Sequence, residues 1–127
     1  MIYLDTSAFL KTVWEERESA ELLDAIADRP TISSAILALE ARRSTVRVDA
    51  ALLPRTDLLL GEVTQVDLSP AVLESASRMP DPRLRTLDAI HLATALLVRE
   101  ELDVLLTYDE RLLAAAAAHG IPTAAPA

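Results

Sequence analysis

Cysteine is absent from all 127 residues, which excludes disulfide scaffolds, zinc ribbons, iron–sulfur sites and thiol nucleophiles. Nothing here requires an oxidising compartment. No apolar stretch approaches the ~18 uninterrupted residues that a membrane span needs. The first residues, Met1-Ile2-Tyr3-Leu4-Asp5, show no basic leader ahead of an apolar run, so the expectation is a soluble cytoplasmic protein. Positive charge is also scarce, with 12 basic residues against 20 acidic ones and a net charge of −8. A sequence-independent grip on nucleic acid needs a basic surface. A nucleic-acid substrate would therefore require the acidity to be local, or positive charge to come from elsewhere, with metal ions the obvious source. Glycine occurs only at Gly61 and Gly120, both placed where helices should stop, and Gly120 is followed by Ile121-Pro122.

The chain that remains is 51% hydrophobic and 25% charged, the mix and size of one globular domain spanning 1–127. No linker, low-complexity tract or solenoid repeat interrupts it. Short apolar runs alternate with helical patterns. Ile2 to Leu4 reads as a strand, with Thr6 or Ser7 capping a helix to about Trp14. A second helix is expected over about 16–28, burying Ala20, Leu23 and Ala27. A strand at Thr31-Ile32-Ser33 leads into a helix of about 35–47, capped by Ser33 or Ser34. A further helical stretch, interrupted by Pro54, ends near Gly61. Val63 to Val66 is strand-like, and Ser69-Pro70 is an N-cap followed by proline at the first helical position. Thr86 opens the strongest helix, to about Glu101. Val104-Leu105-Leu106 is a strand, Asp109 caps an Ala-rich helix, and 121–125 is a final edge strand. Such alternation predicts a parallel sheet with helices on both faces, its site beyond the carboxyl ends of the strands.

That rule sorts the carboxylates. Asp5 and Asp109 each follow a strand, and each serves equally as a helix cap. Asp88 opens Leu87-Asp88-Ala89-Ile90-His91-Leu92-Ala93-Thr94-Ala95, a helix apolar nearly all round and therefore buried. A charge there is costly unless paired or metal-bound. Glu40 interrupts the apolar Ala35 to Ala41 segment, sharing a stripe with Arg43, Ser44 and Arg47; alone it reads as a solvated, ion-paired face. Together, converging carboxylates repel and are tolerable mainly around a divalent cation. An all-oxygen site suits Mg²⁺ or Mn²⁺, and the chemistry implied is metal-dependent phosphoryl hydrolysis.

At these residues the sequence resembles the PIN-domain ribonucleases, specifically the VapC-type toxins of bacterial toxin–antitoxin pairs. The resemblance rests on Tyr3-Leu4-Asp5-Thr6-Ser7-Ala8, Leu39-Glu40-Ala41, Leu87 to Ala95 and Leu106-Thr107-Tyr108-Asp109, and covers essentially the whole chain. It implies an α/β fold, a three-layer α/β/α sandwich with a central parallel sheet. It also implies an Mg²⁺-dependent endoribonuclease, with Mn²⁺ able to substitute, that arrests translation. Asp5, Glu40, Asp88 and Asp109 would be the acidic quartet. Asp5 and Asp88 would be the direct metal ligands, with Glu40 and Asp109 acting through water. Thr6 and Thr107 match positions whose hydroxyls support the cluster. The partners implied are RNA, a cognate antitoxin lying in a groove, and a second copy of the chain; Phe9 and the Val13-Trp14 end of the first helix are candidates for that groove.

Arg42, Arg43 and Arg47 form the densest basic group, and Arg83 and Arg85 precede the Asp88 helix; each contacts RNA or is ordinary surface. His91 reads as a hydrogen-bonded structural histidine, and His119 is explained by the helix dipole, which disfavours a metal-free two-histidine ribonuclease. A phospho-aspartyl enzyme would need a late lysine, whereas the sole lysine is Lys11. The remaining alternative is a non-catalytic binding module on the same fold, which has no reason to keep four mutually repelling acids together.

Overall fold

The computed structural model describes all residues from Met1 to Ala127. Five short strands, β1 (Ile2–Leu4), β2 (Thr31–Ser34), β3 (Thr64–Val66), β4 (Val104–Leu106) and β5 (Thr123–Ala124), form one sheet in the order β3-β2-β1-β4-β5. Every neighbouring pair is parallel. Around it lie α1 (Thr6–Val13), α2 (Ser19–Ile26), α3 (Ile36–Asp49), α4 (Leu53–Leu60), α5 (Pro70–Ser77), α6 (Thr86–Leu97) and α7 (Glu110–Ala118). This is the expected three-layer α/β/α sandwich. No helix is long and apolar enough to cross a membrane.

Strand alternation distributes the two cores. Tyr3, Ile32 and Leu105 point to one face and pack with Leu92, Ala95, Leu112 and Ala116 of α6 and α7. Ile2, Leu4 and Leu106 point to the other and meet Ala8 and Leu22 of α1 and α2. A third cluster, Phe9, Val13, Leu37, Ala41 and Leu60, ties α1 to α3 and α4. The expectation for α6 holds: Ala89 to Ala95 is buried without interruption.

Several local expectations are corrected. Asp5, not Thr6 or Ser7, caps α1, its carboxylate accepting from the Ala8 amide at 2.9 Å. The second helix starts three residues late because the Ser19 hydroxyl is fixed between Lys11 O and the Glu16 amide. The start turns Leu22 into the core and leaves Leu23 half exposed, so the buried face is not Ala20, Leu23 and Ala27. Pro54 stands at the start of α4 and so interrupts nothing. The Asp88 helix ends at Leu97, and Arg99–Glu101 is a separate 3₁₀ turn. Phe9 and Val13 lie inside the third cluster at 1% and 2% exposure, which removes them as groove candidates and leaves Trp14. The final strand is only Thr123–Ala124, because Pro122 offers a carbonyl to the Leu105 amide but has no N–H of its own. Gly120 takes φ +80°, the left-handed conformation that ends α7 without a Cβ penalty.

Candidate active site

The chain leaves β1 towards β2 on one side and returns to β4 on the other, so the sheet reverses its winding between β1 and β4. In parallel sheets the crevice beyond the strand ends at such a reversal is where ligands bind. Asp5 follows β1 there, and Thr107 and Asp109 follow β4. The Asp5 amide donates to Leu106 O, which locks the two strand ends together.

Asp5 is the deepest acid, 3% exposed. Its Oδ2 accepts from the Thr107 hydroxyl at 2.6 Å, and its Oδ1 accepts from the Ser7 hydroxyl at 2.7 Å and the Ala8 amide. Burial pushes the carboxyl above the usual range, and these donors, with His91, oppose the shift. Thr107 also accepts from the Asp109 amide, and the Tyr108 amide donates to Ser7. The loop after β4 is thereby held to the start of α1. Thr107→Val, which keeps the shape and deletes the donor, is expected to destabilise the protein at pH 7 by about 1.5–3 kcal/mol. Urea denaturation measures it, and an unchanged midpoint would show that Asp5 does not depend on this hydroxyl.

Asp109 caps α7, its Oδ1 accepting from the Arg111 and Leu112 amides at 2.8 and 3.1 Å. Cap and site residue are thus not alternatives: one oxygen serves the helix and the other is left. Glu40 sits in the second turn of α3, its side chain 18% exposed. It does not face solvent with a neighbouring arginine, as its stripe suggests when read alone. Its Oε1 accepts from the Thr6 hydroxyl at 2.7 Å and lies 2.8 Å from His91 Nε2. Asp88, in the first turn of α6, is half-buried, and its carboxyl is pushed up to about 6. Burial is the first cause, followed by the charges of Asp109 and Asp5, with Glu40 adding to them and His91 opposing. The main influences on Asp88 are desolvation and like charge, not hydrogen bonds.

Asp88 therefore feels the charges of the other three acids, and both predicted hydroxyls bond to members of the set, Thr107 to Asp5 and Thr6 to Glu40. No three carboxylate or imidazole groups make a ready cage for a cation. The donor set fits a cation that is held by one or two carboxylates and keeps water in its other positions, the usual habit of Mg²⁺. Of the arginines, Arg43 and Arg47 line a groove of about 380 Å³ with Leu39, Glu40, Ser44 and Leu87. Arg42 turns away to Asp57, and Arg83 pairs with Asp81. Arg85 is exposed at the N-cap of the Asp88 helix. Sequence reasoning missed Ser7 as a ligand of Asp5, and gave His91 no role at Glu40. Ser7 carried a signal, since a hydroxyl two residues after a strand-end aspartate is well placed to turn back onto it.

The PIN domain family model matches residues 2–118. Ribonuclease VapC35 of Mycobacterium tuberculosis is 38% identical over 99% of this chain and 97% of its own length. Ribonuclease VapC46 of the same species is 36% identical over 98% and 97%. Among solved structures, M. tuberculosis VapC20, described as a sarcin–ricin loop cleaving toxin, superposes with a TM-score of 0.76 at 16% identity, over 99% of this chain and 100% of that one. A toxin–antitoxin complex from Klebsiella pneumoniae gives a TM-score of 0.72 at 23% identity, over 100% and 98%. Full-length similarity at this level, on this fold, places the chain in the PIN domain family, among the VapC-type ribonucleases.

Proposed function

We propose that this protein is a divalent-metal-dependent endoribonuclease, the toxin of a toxin–antitoxin pair. What supports the reading is that Asp5 and Asp109 follow β1 and β4 at the sheet reversal, while Asp88, raised to about 6 first by burial, also feels the charges of Asp109, Asp5 and Glu40. A binding module gains nothing from that repulsion, whereas a bound cation converts it into attraction. Relatives named as ribonucleases supply the substrate class.

Asp5 and Asp88 are the carboxylates assigned to hold the ion, Mg²⁺ or Mn²⁺. When bound, the cation supplies neutralising charge at the phosphodiester and acidifies water for attack. Asp5 is immobile, with both oxygens hydrogen-bonded, and sets the floor of the site. Glu40 has Oε1 occupied by Thr6 and His91, which leaves Oε2 to orient the attacking water and take its proton. Asp109 spends Oδ1 on its helix and offers Oδ2 to water in the same way. Arg43 and Arg47, beside Glu40, lead RNA phosphates into a molecule that is otherwise strongly acidic, with Arg83 and Arg85 flanking the Asp88 helix. The partners are an antitoxin, a second copy of the chain, and RNA in the cytoplasm.

The test is cleavage of total RNA by antitoxin-free protein with Mn²⁺, followed by mapping of new 5′ ends. Intact RNA throughout would overturn the reading. For the groove, the double reversal Arg43→Glu, Arg47→Glu is expected to weaken RNA binding and flatten its salt dependence. Two lost phosphate contacts to a single strand reduce the log–log slope by roughly 1.4. Unchanged affinity across salt would release both arginines from the role.

A further inference from the structure

We infer that Tyr3, His91 and Glu40 form a directional hydrogen-bond chain, in which His91 is a positioning residue that presents Glu40 to the site. The inference rests on the nuclease reading for what Glu40 does, and on geometry for how Glu40 is held.

The chain runs from the core outward. Tyr3, in the middle of β1, is 0% exposed, and its hydroxyl lies 2.8 Å from His91 Nδ1. His91, on α6, is 1% exposed, and its Nε2 lies 2.8 Å from Glu40 Oε1 and 3.2 Å from the Thr6 hydroxyl. Four separate elements, β1, α6, α3 and, through Thr6, α1, meet in these contacts. The position is one that an apolar side chain would fill at less cost, since Ala89, Ile90, Leu92 and Ala93 around it in sequence are all buried.

Donor and acceptor roles follow from chemistry. A tyrosine phenol, which ordinarily ionises only at about pH 10, keeps its proton at neutral pH and has one to give. A neutral imidazole has one N–H and one lone pair. If the phenol donates to Nδ1, the ring's proton sits on Nε2 and points at Glu40. The opposite tautomer would set a lone pair on Nε2 against carboxylate oxygen at the same 2.8 Å, which is repulsive. Of the two neutral tautomers the arrangement thus selects the Nε2–H form, just as a partner on one ring nitrogen fixes the role of the other elsewhere. The rings of Tyr3 and His91 meet edge-on, 5.8 Å between centroids and 87° between planes, and this packing holds the imidazole in its plane.

The consequence lies at Glu40. Its side chain has several rotatable bonds, and with Thr6 alone on Oε1 it retains freedom to swing. A second donor from a buried ring fixes the carboxylate and turns Oε2 outward.

The experiment uses the full chain labelled with ¹⁵N-histidine. Long-range ¹H–¹⁵N spectra are expected to show His91 protonated at Nε2 and bare at Nδ1; an Nδ1–H or doubly protonated ring would overturn the chain. Paired variants then separate positioning from packing. His91→Met fills the space without a donor and is expected to lower kcat about 10- to 100-fold with KM nearly unchanged. His91→Gln restores an N–H near the Nε2 position and is expected to recover most of it. Equal losses in both, or a loss carried by KM, would overturn the assignment. Should His91→Met fail to fold, Tyr3→Phe removes the phenol donor and is expected to shift the Nδ1 resonance and reduce kcat severalfold; an unmoved resonance would refute the Tyr3 link. Wild-type protein that cleaves no RNA would count against the nuclease reading alone, because the nitrogen shifts still decide the chain.

Discussion

Asp88→Asn is expected to abolish RNA cleavage, by about 100-fold or more, while raising the melting temperature of the metal-free protein. The two effects share a cause. The Asp88 carboxyl sits at about 6 in the fold, against 3.8 for an unperturbed aspartate, because it is half-buried beside Asp109, Asp5 and Glu40. A carboxyl raised in the folded state binds its proton more tightly there than in the unfolded chain. Stability from this group is therefore highest at low pH and falls as the pH climbs from about 4 to about 6. Above that window the whole penalty is present, and asparagine, which carries no charge, removes it. With allowance for solvent screening of a half-exposed group, the gain at pH 7 is on the order of 1 kcal/mol, or roughly 4 °C. Below pH 4 wild type and variant should melt together. A variant that is less stable at pH 7 would mean that Asp88 is a structural carboxylate, and full activity would remove it from the reaction.

What was legible in the sequence follows from how each residue advertises itself. Asp88 stood out because a charge in a helix that is apolar all round has no cheap explanation. The Leu4-Asp5 and Leu106 to Asp109 segments were readable because parallel strands are buried on both faces and end at polar residues, and the alternation of elements put those ends on one edge. Glu40 was different. Its stripe of Arg43, Ser44 and Arg47 suggests a solvated ion pair, and nothing local reveals that Thr6 and His91, 34 and 51 residues away, would claim it instead. Such contacts depend on how α1, α3 and α6 pack, which periodicity does not encode. The same limit explains α2, whose buried face lies one position from the one its periodicity predicts. Its start is set by a hydroxyl pinned between Lys11 and Glu16, and a shift of one residue rotates a helix by about 100°. The groove fared likewise: Phe9 looks like a docking aromatic in sequence, but α3 and α4 cover it.

Removing divalent metal should stop cleavage completely, and Mn²⁺ or Mg²⁺ should restore it. The stability of the same site provides the internal control. A cation that binds the folded chain and not the unfolded one stabilises by RT ln(1 + [L]/Kd), about 2.7 kcal/mol at a hundredfold excess over Kd. Wild-type protein is therefore expected to melt several degrees higher with Mn²⁺ than with EDTA, and Asp88→Asn to show little or none of that rise. Protons compete for the same carboxylate, so the metal-induced rise in the wild type should shrink as the pH is lowered through about 6. Asp88→Asn prepared in parallel also guards against a contaminating ribonuclease, which would cleave equally in both samples. Cleavage that survives excess EDTA would break the link between the acidic cluster and the chemistry. An equal thermal shift in wild type and Asp88→Asn would place the cation somewhere other than at these carboxylates.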